Sequence, residues 1–355
     1  MIWTQCAAVQ GRVRRPTRAV HARPRWRGIM PDARRTSWSA VYSGEVPVNI
    51  ARPDIRPWLA GNCGIRGAWS FASDTPGPHV AITGAMHGNE IAGAIVLDRL
   101  LRAGLRPLCG RLSLVFCNLE ALARFDPADP TQTRFLDEDL NRVWDPAVLD
   151  GPRRSIELRR ARELRPLIDT VDVLLDLHSM SWPSDPLFVT GLPEKAARFA
   201  RKVGGPPVVV ADEGHPDGLR LTDYARFADE RAASLAMLLE AGGHWEPETV
   251  VMAEEVASRV LRRTGLAPHD APLPPEQPFP PPRLARVTRT VVARTRNFVF
   301  LRDFRGCEVI PARNTLIALD GEEEIRTPHD DCMLVMPTPL VPRGHVAVRL
   351  ARFVE

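Results

Sequence analysis

Between about Val46 and Gly265 the chain alternates short apolar runs with amphipathic segments of helical period, and this alternation limits the fold more than any other feature. "HVAITGA", "RLSLVFCN", "VDVLLDLHS", "LFVT", "PVVVAD" and "SLAMLLEAG" are rich in apolar residues, as strands buried on both faces are. "EIAGAIVLDRLLRAG" places Ile91, Ile95, Leu97 and Leu101 on one stripe and stops at a glycine, which predicts a helix. "SIELRRARELRPLID" predicts another. In "EPETVVMAEEVASRVLRRTG", Pro247 lies in the first turn, acids precede, arginines fill the last turn and Gly265 follows, so a third helix is expected. Strands alternating with helices predict an α/β domain with a mixed sheet flanked by helices.

The pattern changes at "LAPHDAPLPPEQPFPPPR", whose prolines can neither continue a helix nor sit centrally in a sheet. Residues 266–283 are therefore expected to form a semi-rigid linker. Beyond it, "VTRTVVART", "NFVFLRDF", "TLIALDG", "DCMLVMPT" and "HVAVRLARFV" are short strand-like runs between turn residues, which predicts a separate small all-β domain over 284–355. At the other end, residues 1–45 read as a variable Arg-rich extension, since "GRVRRPTRAVHARPRWRG" has no acid, no apolar stretch and little periodicity. The remaining 46–265 would be the catalytic domain.

A chain of 355 residues, 44% hydrophobic and 25% charged, is long enough to bury a substantial core. The net charge of +4 is too small to argue for a nucleic-acid partner, and no apolar run approaches the roughly 20 residues that span a bilayer. None of the six cysteines has CxxC spacing, which points to a reducing, cytoplasmic setting without a disulfide framework.

In open α/β sheets ligands bind at the carboxyl ends of the strands. His87 and Glu90 follow "HVAITGA", Asn118 ends "RLSLVFCN", Asp176 and His178 end "VDVLLDLHS", and Glu240 ends "SLAMLLE". Taken singly, an HxxE pair is usually a surface pair and a lone histidine a satisfied core residue. Together, His87, Glu90 and His178 make a His2Glu set that leaves a fourth position open, the arrangement of a catalytic zinc site. Glu240 leaves an apolar strand ahead of two glycines, within reach to act as general base. The loop "RFLDEDLNR" adds Arg134, Asn141 and Arg142; arginine suits carboxylate recognition and stabilises a developing oxyanion.

"GAMHGNE", "RFLDEDLNR", "DLHS" and "LLEAGG", in this order across residues 46 to 265, resemble the succinylglutamate desuccinylase/aspartoacylase family of zinc amidohydrolases, relatives of the zinc carboxypeptidases. The resemblance implies a zinc-carboxypeptidase-like sheet with a small β domain after it, and one Zn2+ per chain bound by His87, Glu90 and His178. It implies that Arg134 polarises the scissile carbonyl and that Asn141 and Arg142 hold a substrate carboxylate. Glu240 would take a proton from the attacking water and pass it to the leaving amine. The expected reaction is hydrolysis of an amide in a small N-acyl amino acid, with homo-oligomerisation left open. The segments "SMSWPSDP" and "AGGHWEPE" depart from the aspartoacylase version. The only tyrosines are Tyr42 and Tyr224, so the terminal domain supplies no substrate-binding tyrosine. A carboxypeptidase acting on peptide ends, or a metal-binding relative without activity, are the other readings. A long open cleft would favour the peptidase, and a site capped by the terminal β domain would favour a small substrate.

Overall fold

The computed structural model describes residues 47–268 and 271–354, so the Arg-rich extension over 1–45 lies outside the described residues. The edge strand β1 (Ala68–Ala72) precedes β2 (His79–Gly84), α1 (Ile91–Arg102) and β3 (Arg111–Phe116). Two short helices, α2 (Leu119–Ala123) and α3 (Pro146–Asp150), lead to α4 (Ile156–Ile168) and β4 (Val173–Met180). The series continues with β5 (Leu187–Thr190), α5 (Glu194–Val203), β6 (Val208–Ala211), β7 (Leu235–Gly243) and α6 (Pro247–Arg263). Helix starts follow local chemistry: the Ser155 hydroxyl accepts from the Leu158 amide at the head of α4, and Pro247 occupies the first turn of α6.

Seven further strands, β8 (Arg283–Val292), β9 (Phe298–Phe300), β10 (Val309–Ile310), β11 (Leu316–Asp320), β12 (Glu323–Arg326), β13 (Cys332–Val335) and β14 (Val346–Val354), follow this core. The main sheet has 11 strands in the order β1-β3-β2-β4-β7-β5-β6-β8-β14-β13-β10. Strands β3, β2, β4 and β7 run parallel, β5 lies antiparallel to β7, and β6 and β8 continue parallel to β5. A mixed α/β architecture is thus observed. Alternate residues of the central strands feed two apolar cores: Ile82 and Leu175 pack towards α1 and α6, while Ala81 and Leu174 pack towards α4.

The terminal strands differ from the sequence expectation of a separate domain. Strand β8 pairs in register with β6, Val208 opposite Arg283 and Ala211 opposite Arg286, so the chain re-enters the same sheet. The strands do keep a core of their own around Val291, Phe298, Ile317 and Leu350. The reason lies in β6: its unpaired edge would expose a row of backbone donors and acceptors, and β8 satisfies them. Nor is the Pro-rich stretch a free spacer. Glu276 makes a bidentate ion pair with Arg263 at 2.6 Å, the Gln277 amide donates to Glu255 of α6, and Leu273 and Phe279 pack on the first core. Prolines forbid helix and ladder hydrogen bonds but leave side chains able to strap the segment down.

Candidate metal centre

The polar residues singled out in the sequence lie where parallel strands end. His87 and Glu90 sit in the turn after β2, ahead of α1, with Glu90 as the residue that caps the helix without using its side chain. That frees the carboxylate to face the sheet end. Gly88 is needed there, because a Cβ at this position would stand 2.3 Å from the Thr133 carbonyl oxygen and 2.4 Å from the Ala121 carbonyl carbon. The Gly88 amide also donates to the Arg134 carbonyl at 3.0 Å, which locks the ligand turn to the "RFLDEDLNR" loop. His178 lies on β4, in register with Glu240 of β7.

The three side chains converge. His87 Nδ1 is 2.7 Å from Glu90 Oε1, and His178 Nδ1 is 2.9 Å from Glu90 Oε2. One donor atom from each of His87, Glu90 and His178 falls within 4.8 Å of the others, and all three residues are buried. The outer nitrogens are held by carboxylates: His87 Nε2 lies 2.8 Å from Asp139 Oδ1, and His178 Nε2 lies 2.8 Å from Asp176 Oδ2. The Asp176 contact follows from strand geometry, since residues two apart share a face; Thr83 of the neighbouring strand donates to its other oxygen at 2.7 Å. Two imidazoles with anchored outer nitrogens and one carboxylate fit a divalent metal with nitrogen and oxygen preference. Burial works against the charged forms, but the two rings outweigh it and hold Glu90 well below its usual value. Asp176 and Glu90 likewise outweigh burial and hold His178 well above its own.

Asp139 is the residue that sequence reasoning missed most plainly. Its loop carries Asp137, Glu138 and Asp139, and only folding assigns them: Asp137 accepts from the Ile156 amide, Glu138 pairs with Arg153, and Asp139 turns inward. The fully buried Glu157 shapes this loop by accepting from the amides of Leu136, Asp137 and Glu138. Arg134 reaches the same centre, with one nitrogen 3.2 Å from Glu90 and another 3.1 Å from Asp139.

Glu240 is half-buried, and its Oε2 is shielded from solvent with no hydrogen-bond partner among the described residues. Burial, partly offset by His178 and Arg134, pushes it up to about 8, so its proton is held near neutrality. Asn141 accepts from the Leu221 amide at 2.8 Å, which ties the two loops, and it borders the cavity. Burial, reinforced by Arg134, Arg220 and Arg349, lowers Arg142 to about 10 despite Asp139. Arg220 and Arg349, neither singled out in the sequence, share one carboxylate: Asp212 Oδ2 lies 2.9 Å from Arg220 and 3.0 Å from Arg349. His244, also missed, bridges the hydroxyls of Ser179 and Ser181, both at 2.8 Å.

His87, Glu90 and His178 line one cavity of about 730 Å3 together with Arg134, Asp139, Asn141, Arg142, Arg220, Glu240 and His244; its far wall comes from the terminal β region through Met336, Val341, Pro342, Val346 and Arg349. Tyr224 is turned away, donating to Asp169.

Comparison with known proteins agrees with this arrangement. A succinylglutamate desuccinylase from Burkholderia lata is 26% identical over 312 residues, covering 81% of this chain and 83% of its own length. Aspartoacylase from Rattus norvegicus is 31% identical over a shorter stretch of 121 residues, 31% of this chain and 36% of the relative. The crystal structure of the succinylglutamate desuccinylase from Vibrio parahaemolyticus has the same fold, with a TM-score of 0.62 at 20% identity over 82% of this chain and 87% of that one. Residues 76–264, which carry every strand end described above, match the model of the succinylglutamate desuccinylase/aspartoacylase catalytic domain, and the chain belongs to that family.

Proposed function

We propose that this protein is a metal-dependent deacylase that hydrolyses the amide bond of a small N-acyl amino acid. The observation that carries the reading is the convergence, at one cavity, of the His87, Glu90 and His178 donors with the Glu240 carboxyl and the Arg134 guanidinium. A divalent ion, read here as one zinc per chain, would be held by His87, Glu90 and His178. When bound, such an ion lowers the pKa of water and draws electron density from a carbonyl. Asp139 and Asp176 fix the ring orientation of the two histidines.

Glu240 is the group for proton transfer. A carboxyl whose proton is balanced near neutrality accepts one from the attacking water and returns it to the departing amine nitrogen, so the amine leaves neutral. Arg134 steadies negative charge as it grows on the amide oxygen; a guanidinium has five donors, and its contacts to Glu90 and Asp139 leave capacity for the substrate. Asn141 and Arg142 are assigned to the carboxylate of the amino acid, with the positive field of Arg142, Arg220 and Arg349 favouring an anion in the cavity. The wall from the terminal β region supports a small substrate over an extended peptide. No helix among the described residues is long and apolar enough to cross a membrane.

The test is a panel of N-acetyl, N-succinyl and N-aroyl amino acids with zinc-loaded protein of measured metal content. Stoichiometric zinc and release of a free amino acid from at least one member are expected. Glu240→Gln should retain zinc and lose roughly 10²–10⁴-fold in kcat, the usual worth of a positioned acid-base group. Full activity in that variant, or no zinc in the wild type, defeats the reading.

A further inference from the structure

The segment "GGHW", which closes β7 and leads out of it, is not used by the reaction just described, yet it touches both chain segments that carry the proposed metal donors. Gly242 has φ +138°, and a Cβ there would lie 2.7 Å from Thr249 Oγ1, so the strand turns sharply at a position only glycine tolerates. The turn delivers two buried rings. The His244 amide donates to the Met180 carbonyl at 3.0 Å, and its imidazole spans Ser179 Oγ and Ser181 Oγ at the end of β4. Ser179 in turn points its amide at Glu90 Oε2, 3.3 Å away, and it directly follows His178. Next in the chain, the Trp245 indole N–H donates to the Asn89 carbonyl at 3.0 Å, one residue before Glu90. Trp245 is packed against Phe125 and the His244 ring.

We propose that His244 and Trp245 are positioning residues that brace the His178 and Glu90 segments against each other and thereby set the affinity and geometry of the metal site. This rests on the metal reading above. The physical case is that His178 leaves a strand while Glu90 leaves a turn; the β2–β4 ladder stops at Gly84 and Leu177, and past it the Ser179 amide contact to Glu90 ties the two together. A rigid third element bonded to both segments adds a second, independent tie. His244 grips the β4 end through two hydroxyls and one backbone bond, and Trp245 grips the ligand turn through its indole nitrogen. Groups that orient metal ligands without touching the metal are commonly worth 10–100-fold in affinity.

The test measures zinc affinity by competition with a chromophoric chelator, and the visible absorption of the cobalt(II)-substituted protein, in full-length wild type, Trp245→Phe, His244→Ala and Trp144→Phe. Trp245→Phe keeps an aromatic ring but removes the indole N–H and its bond to Asn89, and Trp144→Phe carries the same loss of buried volume, so Trp245→Phe is expected to fold and to lose several-fold in zinc affinity with a shifted cobalt spectrum. His244→Ala should lose roughly 10–100-fold. Trp144→Phe is the control: Trp144 is fully buried in the other core and its indole nitrogen has no hydrogen-bond partner among the described residues, so affinity and spectrum should stay unchanged. Wild-type affinity and spectrum in Trp245→Phe and His244→Ala overturn the brace while leaving the metal reading intact. An equal loss in Trp144→Phe overturns it too, because affinity would then follow general stability. Absence of zinc from the wild type removes the metal reading and the brace together.

Discussion

The two ends of the main sheet solve different problems. In the parallel half, β4 is buried at every position, and its polar residues, Asp176, His178 and Ser179, fall within its last five positions. In the terminal half, β8 buries only Ala285 and Val291 and leaves its other positions half-buried or exposed, with Arg283 and Arg289 open to solvent. Burial on both faces admits a polar side chain inside a strand only where a neighbour satisfies it, as Ser113 does for His79 and Thr83 for Asp176, and the parallel half gathers the rest of its polar groups where the strands stop. The terminal half, free of that constraint, supplies walls. Among the described residues, the buried polar group it brings to the cavity is Arg349, which reaches Asp212. The groups proposed for catalysis and the far wall of the cavity therefore come from regions with different rules for sequence change.

That contrast can be broken or sharpened. The largest stability effect is expected from acid. In the parallel half, burial outweighs the Thr170 contact and lowers His79 to about 4 from an ordinary value of 6.5. The unfolded chain then binds more protons between those values, so the stability from keeping this ring neutral is complete above about pH 6.5 and is lost as pH falls towards 4. The loss is on the order of 3 kcal/mol. Melting curves between pH 7 and 4 should show that slope, and His79→Gln should flatten it; an unchanged slope would show that the parallel half is not acid-sensitive through this ring.

Gly88→Ala comes next. The new methyl meets backbone that cannot swing aside, so a loss of about 1–3 kcal/mol in chemical denaturation and a weakened metal site are expected. If both stay at wild-type values, the close fit of the ligand turn to the loop is not needed. The smallest effect tests the wall. Arg349→Met should raise KM for an anionic substrate roughly tenfold, the worth of about 1.4 kcal/mol, with kcat within a few-fold of wild type. A fall in kcat at constant KM would instead move Arg349 among the groups that act in the transition state.

Much of the site was legible in the chain because each proposed donor follows a recognisable strand: His87 and Glu90 after "HVAITGA", His178 in "VDVLLDLHS", Glu240 in "SLAMLLE". Arg134, Asn141 and Arg142 were visible as a polar run, and the structure brings all three to the cavity. What was not legible depended on selection among equals. Nothing local distinguishes Asp139 from Asp137 or Glu138, and only the amide cage around Glu157 turns one of them towards His87. Arg220, Arg349 and His244 are single residues in unremarkable settings whose contacts lie far away in sequence. His244 did stand beside the two glycines that follow Glu240, and that was its one signal.

The sequence alone determined the alternation of strands and helices, the placement of polar groups at strand ends and the absence of a tyrosine from the terminal region, because hydrophobic period and residue identity are local properties. Tertiary structure decided that β8 closes onto β6 instead of starting a separate domain, that the Pro-rich stretch is strapped to α6, and which acid and which histidine stand beside the proposed metal donors. Those outcomes turn on edge pairing, burial and hydrogen bonds between residues distant in the chain, which no local pattern encodes.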